Sequence, residues 1–281
     1  MALIPPFFLD CVTAIGFPKA NSGVDFSATG FLYGKLAKPS STEQSAAYNV
    51  CLLTNRHVFE NERLAVLRFN PAAGAPAKSY SLPLTDASGK QLWSVSEDNS
   101  VDVAAMPINV QRLSNEGIQL AFFCSDQHVL HSTGAREQGL TEGDGVFVLG
   151  FPLGDIGGDR NYVVVRQGVV ARIRDTLAGT AKTFLIDASV FPGNSGGPVV
   201  TKPEAMAISG TKAYSKASLI GMVSGYVPYQ DVAYSLQTKR PRVIFEENTG
   251  LAVVVPVDRI AEVVELAFGP QSGTSQPQDK V

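Results

Sequence analysis

Short apolar or alternating segments separated by turn residues fill this chain, and helical periodicity is confined to one stretch near its end. Residues 12–17, 26–33, 49–54, 63–69 and 101–108 form one set of such segments. Residues 146–150, 162–173, 183–188, 198–201, 218–225 and 251–255 form a second. Segments of this length and pattern read as strands. The 26 Gly and 17 Pro supply turns between them. Two sets of strands without helical crossovers predict an all-β chain of two barrels or sandwiches. After Pro256, apolar residues at Ile260, Val263, Val264 and Ala267 mark one face of a C-terminal helix. The expected organisation is a first unit over residues 1–115 and a connector over 116–144, with a short helix around 110–120. A second unit with the helix follows over 145–268, and then a disordered tail over 269–281.

Charge and composition exclude several functions. A net charge of −3 with no Lys/Arg run argues against nucleic acid or an anionic membrane as partner. No stretch approaches the roughly 18 apolar residues that span a bilayer. The first ten residues lack a basic leader and are broken by Pro5-Pro6, so they read as mature chain. Three cysteines, Cys11, Cys51 and Cys124, are too few for a disulfide framework and point to a reducing, cytoplasmic setting. Cys124, His128 and His131 lack an evident fourth ligand, so no metal and no cofactor is expected. The segment 154–159 reads as a turn bordering the cleft rather than a calcium loop.

Three motifs carry chemistry. In Phe191-Pro192-Gly193-Asn194-Ser195-Gly196-Gly197-Pro198, glycines surround one serine and permit main-chain conformations closed to other residues. Such a loop suits a nucleophile whose own N–H and that of Gly193 face a developing oxyanion; Gly193, Asn194 and Ser195 are the candidates for that hole. His57 follows the apolar run 52–54 and can serve as the base that a serine hydroxyl needs. Asp102 stands in an apolar setting, Val101-Asp102-Val103, where a carboxylate requires a partner such as an imidazole N–H.

Chain order separates the serine-hydrolase architectures. Gly193-Asn194-Ser195-Gly196-Gly197 also fits a nucleophile elbow, but that fold places its histidine after its serine. Here His57, His128 and His131 all precede Ser195. The order His, Asp, Ser on an all-β chain leaves the chymotrypsin arrangement. The sequence resembles the chymotrypsin/trypsin-like serine peptidases, and within them the HtrA-like branch. The resemblance runs through Ala28-Thr29-Gly30, 53–58, 101–104, 148–152, 165–169, 186–188, 193–198, 219–223 and 250–256. It implies two six-stranded antiparallel β-barrels with a C-terminal helix, and a triad of His57, Asp102 and Ser195 hydrolysing peptides through an acyl-enzyme.

By the same resemblance, Ser189, Val190, Ser224, Gly225, Tyr226 and Ala252 wall the primary substrate pocket. Ser189 stands where trypsin-like members carry an acid, so a small or medium apolar residue is expected before the scissile bond. Asn194 replaces the aspartate that secreted zymogens pair with a new N-terminus. No PDZ-like domain follows, and 226–248 is longer than the family pattern, which suggests a gating or regulatory insertion. Two functions stand open here. One is an endopeptidase acting on peptides or proteins; the other is a non-catalytic or partner-activated binding module that engages a regulatory protein.

Overall fold

A one-turn helix, α1 (Phe7–Asp10), leads into β1 (Val12–Lys19), β2 (Gly23–Lys38) and β3 (Ala47–Thr54). A second single turn, α2 (Arg56–Phe59), precedes β4 (Leu64–Phe69), β5 (Lys78–Pro83), β6 (Ser94–Val95) and β7 (Ala104–Pro107). Then come α3 (Val110–Asn115), β8 (Phe123–Cys124) and α4 (Ser132–Gln138). This computed structural model describes residues 3–20, 23–38, 46–204 and 206–269, so the tail expected over 269–281 lies, Gly269 apart, outside the described residues. The first strands form an eight-stranded sheet in the order β5-β4-β1-β2-β3-β7-β6, with β8 parallel to β2. The remaining neighbours in that sheet are antiparallel.

The second half contains β9 (Gly145–Gly150), β10 (Val164–Arg172), α5 (Arg174–Leu177), β11 (Phe184–Asp187), β12 (Pro198–Thr201), β13 (Leu219–Tyr234) and β14 (Pro241–Pro256). These strands close into a six-stranded barrel, β10-β11-β14-β13-β12-β9. The helix expected after Pro256 is α6 (Val257–Phe268). The chymotrypsin-like double-barrel class is therefore borne out, with its first half carried by an eight-stranded sheet. One local expectation changes: Asp102 is not in a strand, because β7 begins at Ala104. The Asp102 carbonyl is taken instead by the Asn55 side-chain amide at 2.8 Å.

Three apolar cores hold this arrangement. One fills the first sheet around Leu52, Leu67 and Met106; another fills the closed barrel around Val148, Ile186 and Val254. The third lies between the halves. There Phe31, Leu53 and Val103 meet Leu149, Phe151 and Met222, and α6 adds Ile260, Val263 and Val264. Each such fully buried side chain contributes about 1.5–3 kcal/mol, so the seam between halves is a core in its own right. All three cysteines are free.

Asp258, in the first turn of α6, clasps the start of α4. It accepts from Ser132 N–H at 3.0 Å and Ser132 Oγ at 2.6 Å, and lies 3.4 Å from His131 Nδ1. The neighbouring carboxylate raises the His131 pKa against partial burial. Partial burial pushes Asp258 up, but the bonds from His131 and Ser132 prevail and bring it to about 2. Folded-state stabilisation from His131 is thus complete below its unfolded value near 6.5 and is lost as pH rises through the raised folded value. That from Asp258 is present above about 3.9 and lost as pH falls through its depressed value. His131→Gln is therefore expected to lower Tm more at pH 5 than at pH 8.5. With both side chains about two-fifths exposed, the effect is small, a few tenths of a kcal/mol. Equal Tm losses at both pH values would count against the clasp.

The segment 226–248, read from sequence as an insertion, is regular. Beyond the barrel, β13 and β14 continue as an antiparallel ribbon from Pro228↔Asn248 to Tyr234↔Pro241. Ser235 N–H closes its tip on the Arg240 carbonyl at 3.0 Å. Neither ribbon face packs on a core, and Tyr229, Val243, Ile244 and Phe245 are exposed.

Candidate active site

His57 sits in the single turn α2, directly after β3. Its backbone N–H donates to Asp102 Oδ1 at 3.1 Å and its ring Nδ1 lies 2.8 Å from Asp102 Oδ2. An ionised carboxylate can only accept, so Nδ1 carries the hydrogen and Nε2 holds the free lone pair. The ring is 47 % exposed and the Asp102 side chain 24 %. Burial pushes the Asp102 carboxyl up, but hydrogen bonds from the His57 ring and backbone and from Ser224 outweigh it and lower its pKa. The loop before Asp102 is anchored across the seam. Lys182 Nζ bonds Asp98 at 2.6 Å and Ser100 Oγ at 2.8 Å.

Ser195 follows a tight turn at 191–194. Asn194 closes that turn twice: its N–H donates to the Phe191 carbonyl at 2.9 Å and its Oδ1 accepts the Phe191 N–H at 3.1 Å. Asn194 N–H is thus committed within the turn and is not available to an oxyanion, which departs from the sequence expectation. The Pro192 carbonyl accepts the Leu153 N–H at 2.6 Å. In a trans peptide the N–H points opposite the carbonyl, so the Gly193 N–H faces away from the 152–154 loop. The 152–154 turn therefore backs the serine turn. Gly193 has φ +98°, a conformation that L side chains rarely adopt. Neither the Gly193 nor the Ser195 N–H finds an acceptor among the described residues.

Thr29 joins these pieces. Its Oγ1 donates to the Gly193 carbonyl at 2.6 Å and accepts the Phe151 N–H at 3.0 Å. Its N–H donates to the Ser195 carbonyl at 2.9 Å, and its carbonyl accepts Thr54 Oγ1 at 2.8 Å. Thr54 ends β3, three positions before His57. Gly196, at φ +84°, lies so close to Thr29 O and Thr54 Oγ1 that any Cβ would overlap both. The serine loop is therefore held against the strand end that carries the histidine. No hydrogen bond joins Ser195 Oγ to the His57 ring among the described residues, whose ring bond is to Asp102. Such contacts are commonly long before substrate binds.

The expected pocket residues separate. Val190, Gly225 and Tyr226 line a cavity of about 370 Å³ together with Ser195, Phe191, Pro192 and Val223. Ser189 is exposed and Ala252 is buried inside the barrel, and neither faces that cavity. Ser224 instead donates Oγ to Asp102 Oδ2 at 2.9 Å, beside the His57 contact. Ser224→Ala is expected to lower kcat about three- to tenfold by removing one donor from a partly buried carboxylate; an unchanged kcat would mean that Ser224 does not support Asp102. Pro228 and Glu246, from the ribbon, complete the lining. Thr29, Ser224 and Glu246 were not assigned these positions from sequence, because each depends on a contact between distant segments. His128 Nδ1 accepts the Cys124 N–H at 2.9 Å and His131 faces Asp258, so both of these imidazoles are held by groups of the chain itself.

No curated protein matches the chain. Among solved structures it is similar to the MamO protease domain of Magnetospirillum magneticum in its apo form, with 14% identity and a TM-score of 0.43; the match covers 90% of this chain and 95% of that one. It is also similar to the inactive form of a serine-to-alanine mutant of Rv3671c from M. tuberculosis H37Rv, with 16% identity, 98% coverage of each chain and a TM-score of 0.43. The family model for the trypsin-like peptidase domain matches residues 28–205, well over half the chain, and with this the chain belongs to the trypsin-like peptidase domain family.

Proposed function

We propose that this chain is a serine endopeptidase in which Ser195, His57 and Asp102 act as nucleophile, base and orienting carboxylate. The observation that carries the reading is the Asp102-bound His57 ring, which leaves Nε2 free beside a serine loop tied through Thr29 to Thr54. Ser195 Oγ attacks the peptide carbonyl as its proton passes to His57 Nε2. The oxyanion that forms is met by the unpaired N–H groups of Gly193 and Ser195. The imidazolium, stabilised by Asp102, gives that proton to the leaving amine, and an acyl-enzyme results. Water, deprotonated by the same ring, then releases the acid and restores Ser195. Val190, Val223 and Phe191 offer apolar walls to the aliphatic part of the residue before the scissile bond.

A fluorophosphonate, which reacts with an activated serine, tests this reading. The folded chain is expected to gain one adduct, located on Ser195 by mass spectrometry. Absence of an adduct on folded protein would favour the second reading, a binding or partner-activated module on the same fold. That alternative is supported by the exposed Tyr229, Ile244 and Phe245 of the ribbon. An adduct that appears only when a protein partner is added would identify the partner-activated form.

A further inference from the structure

Glu246 lines the same cavity as Ser195, yet it comes from the ribbon rather than from any segment that forms the barrel wall. Its carboxylate is positioned from both sides. Tyr226 OH donates to Oε1 at 2.9 Å and Gln230 Nε2 donates to Oε2 at 2.9 Å. Each oxygen has two acceptor sites, so one remains on each for a further donor. No Lys, Arg or His lies within ion-pairing distance of Glu246 among the described residues. The ribbon root is fixed to the pocket wall. Asn248 Nδ2 donates to the Val190 carbonyl, and Thr249 Oγ1 donates to the Val227 carbonyl at 2.7 Å. Glu246 and the Val190 wall are therefore held in one frame.

A cavity with apolar walls and one unpaired carboxylate matches a side chain with an aliphatic stem and a cationic head. We propose that Glu246 makes the Ser195 cavity selective for lysine or arginine before the scissile bond. This rests on the peptidase reading above and deepens it. The apolar preference expected from sequence depended on Ser189, which does not face the cavity. The acid is supplied instead from a position 57 residues further along the chain. Because Glu246 is exposed, its discrimination is moderate and weakens with salt.

The test compares kcat/KM for peptides that differ only in the residue before the cleaved bond. The Lys-to-Met ratio is expected to be about tenfold in the wild type, near unity in Glu246→Gln and below unity in Glu246→Lys. A wild-type ratio at or below unity, or one unchanged in Glu246→Gln, would overturn the assignment. Benzamidine binding by calorimetry gives a readout that needs no working nucleophile. It is expected to weaken about tenfold or more in Glu246→Gln, and equal binding or no binding would overturn the proposal. Glu246-dependent benzamidine binding without fluorophosphonate labelling would sink the peptidase reading but keep the cation site. Labelling without a lysine or arginine preference would do the reverse.

Discussion

Ser195→Ala is expected to lower kcat/KM for peptide hydrolysis by at least about 10⁴-fold, the scale on which Ser-His-Asp peptidases depend on a triad member. The loss should fall on kcat, because the hydroxyl supplies the attacking pair of electrons and contributes little to ground-state binding. Stability should change by less than about 0.5 kcal/mol. Ser195 serves the fold through its carbonyl, which accepts the Thr29 N–H at 2.9 Å, and alanine retains that bond. Thermal melting and steady-state kinetics on the same preparation separate the two effects. A loss smaller than tenfold would show that another group is the nucleophile.

Asp102→Asn is expected to cost about 10⁴-fold in kcat with little change in fold. Asp102 Oδ2 receives both the His57 Nδ1–H and the Ser224 hydroxyl, at 2.8 and 2.9 Å, while Oδ1 receives the His57 backbone N–H at 3.1 Å. An amide offers one accepting oxygen to these three donors. If that oxygen keeps the backbone N–H, the NH₂ group faces the ring, and Nδ1 must become the acceptor. The proton then moves to Nε2, where no base is left for the serine. The variant should also lose fluorophosphonate reactivity in proportion. A kcat within about tenfold of wild type would mean that Asp102 does not set the tautomer.

The strands with a clear alternating or continuous apolar pattern, such as β1 to β4, β9, β11 and β12, were legible because each buries one or both faces in a core. β6 was not, since two residues carry no period. β5 buries only Tyr80 and Leu82, too few to signal a strand. The ribbon escaped as well. Its residues do not alternate and both faces are exposed, so nothing in a hydrophobic pattern marks where β13 and β14 leave the barrel. His57 and Asp102 could be paired from the need of a valine-flanked carboxylate for a donor together with the chain order His, Asp, Ser and the family resemblance. Thr29 could not be picked out. Its four hydrogen bonds go to Gly193, Phe151, Ser195 and Thr54, and all but the last of these lie more than a hundred residues away.

The shared core between the halves gives those bonds a further meaning. Neither half alone contains a competent arrangement: the imidazole belongs to one and the hydroxyl to the other, with Thr29 as the rivet. Fragments produced separately should be inert until they reassociate. A transient parting of the seam would disarm the protein well before either half melted, so local opening, rather than global unfolding, would govern how long it stays competent on heating.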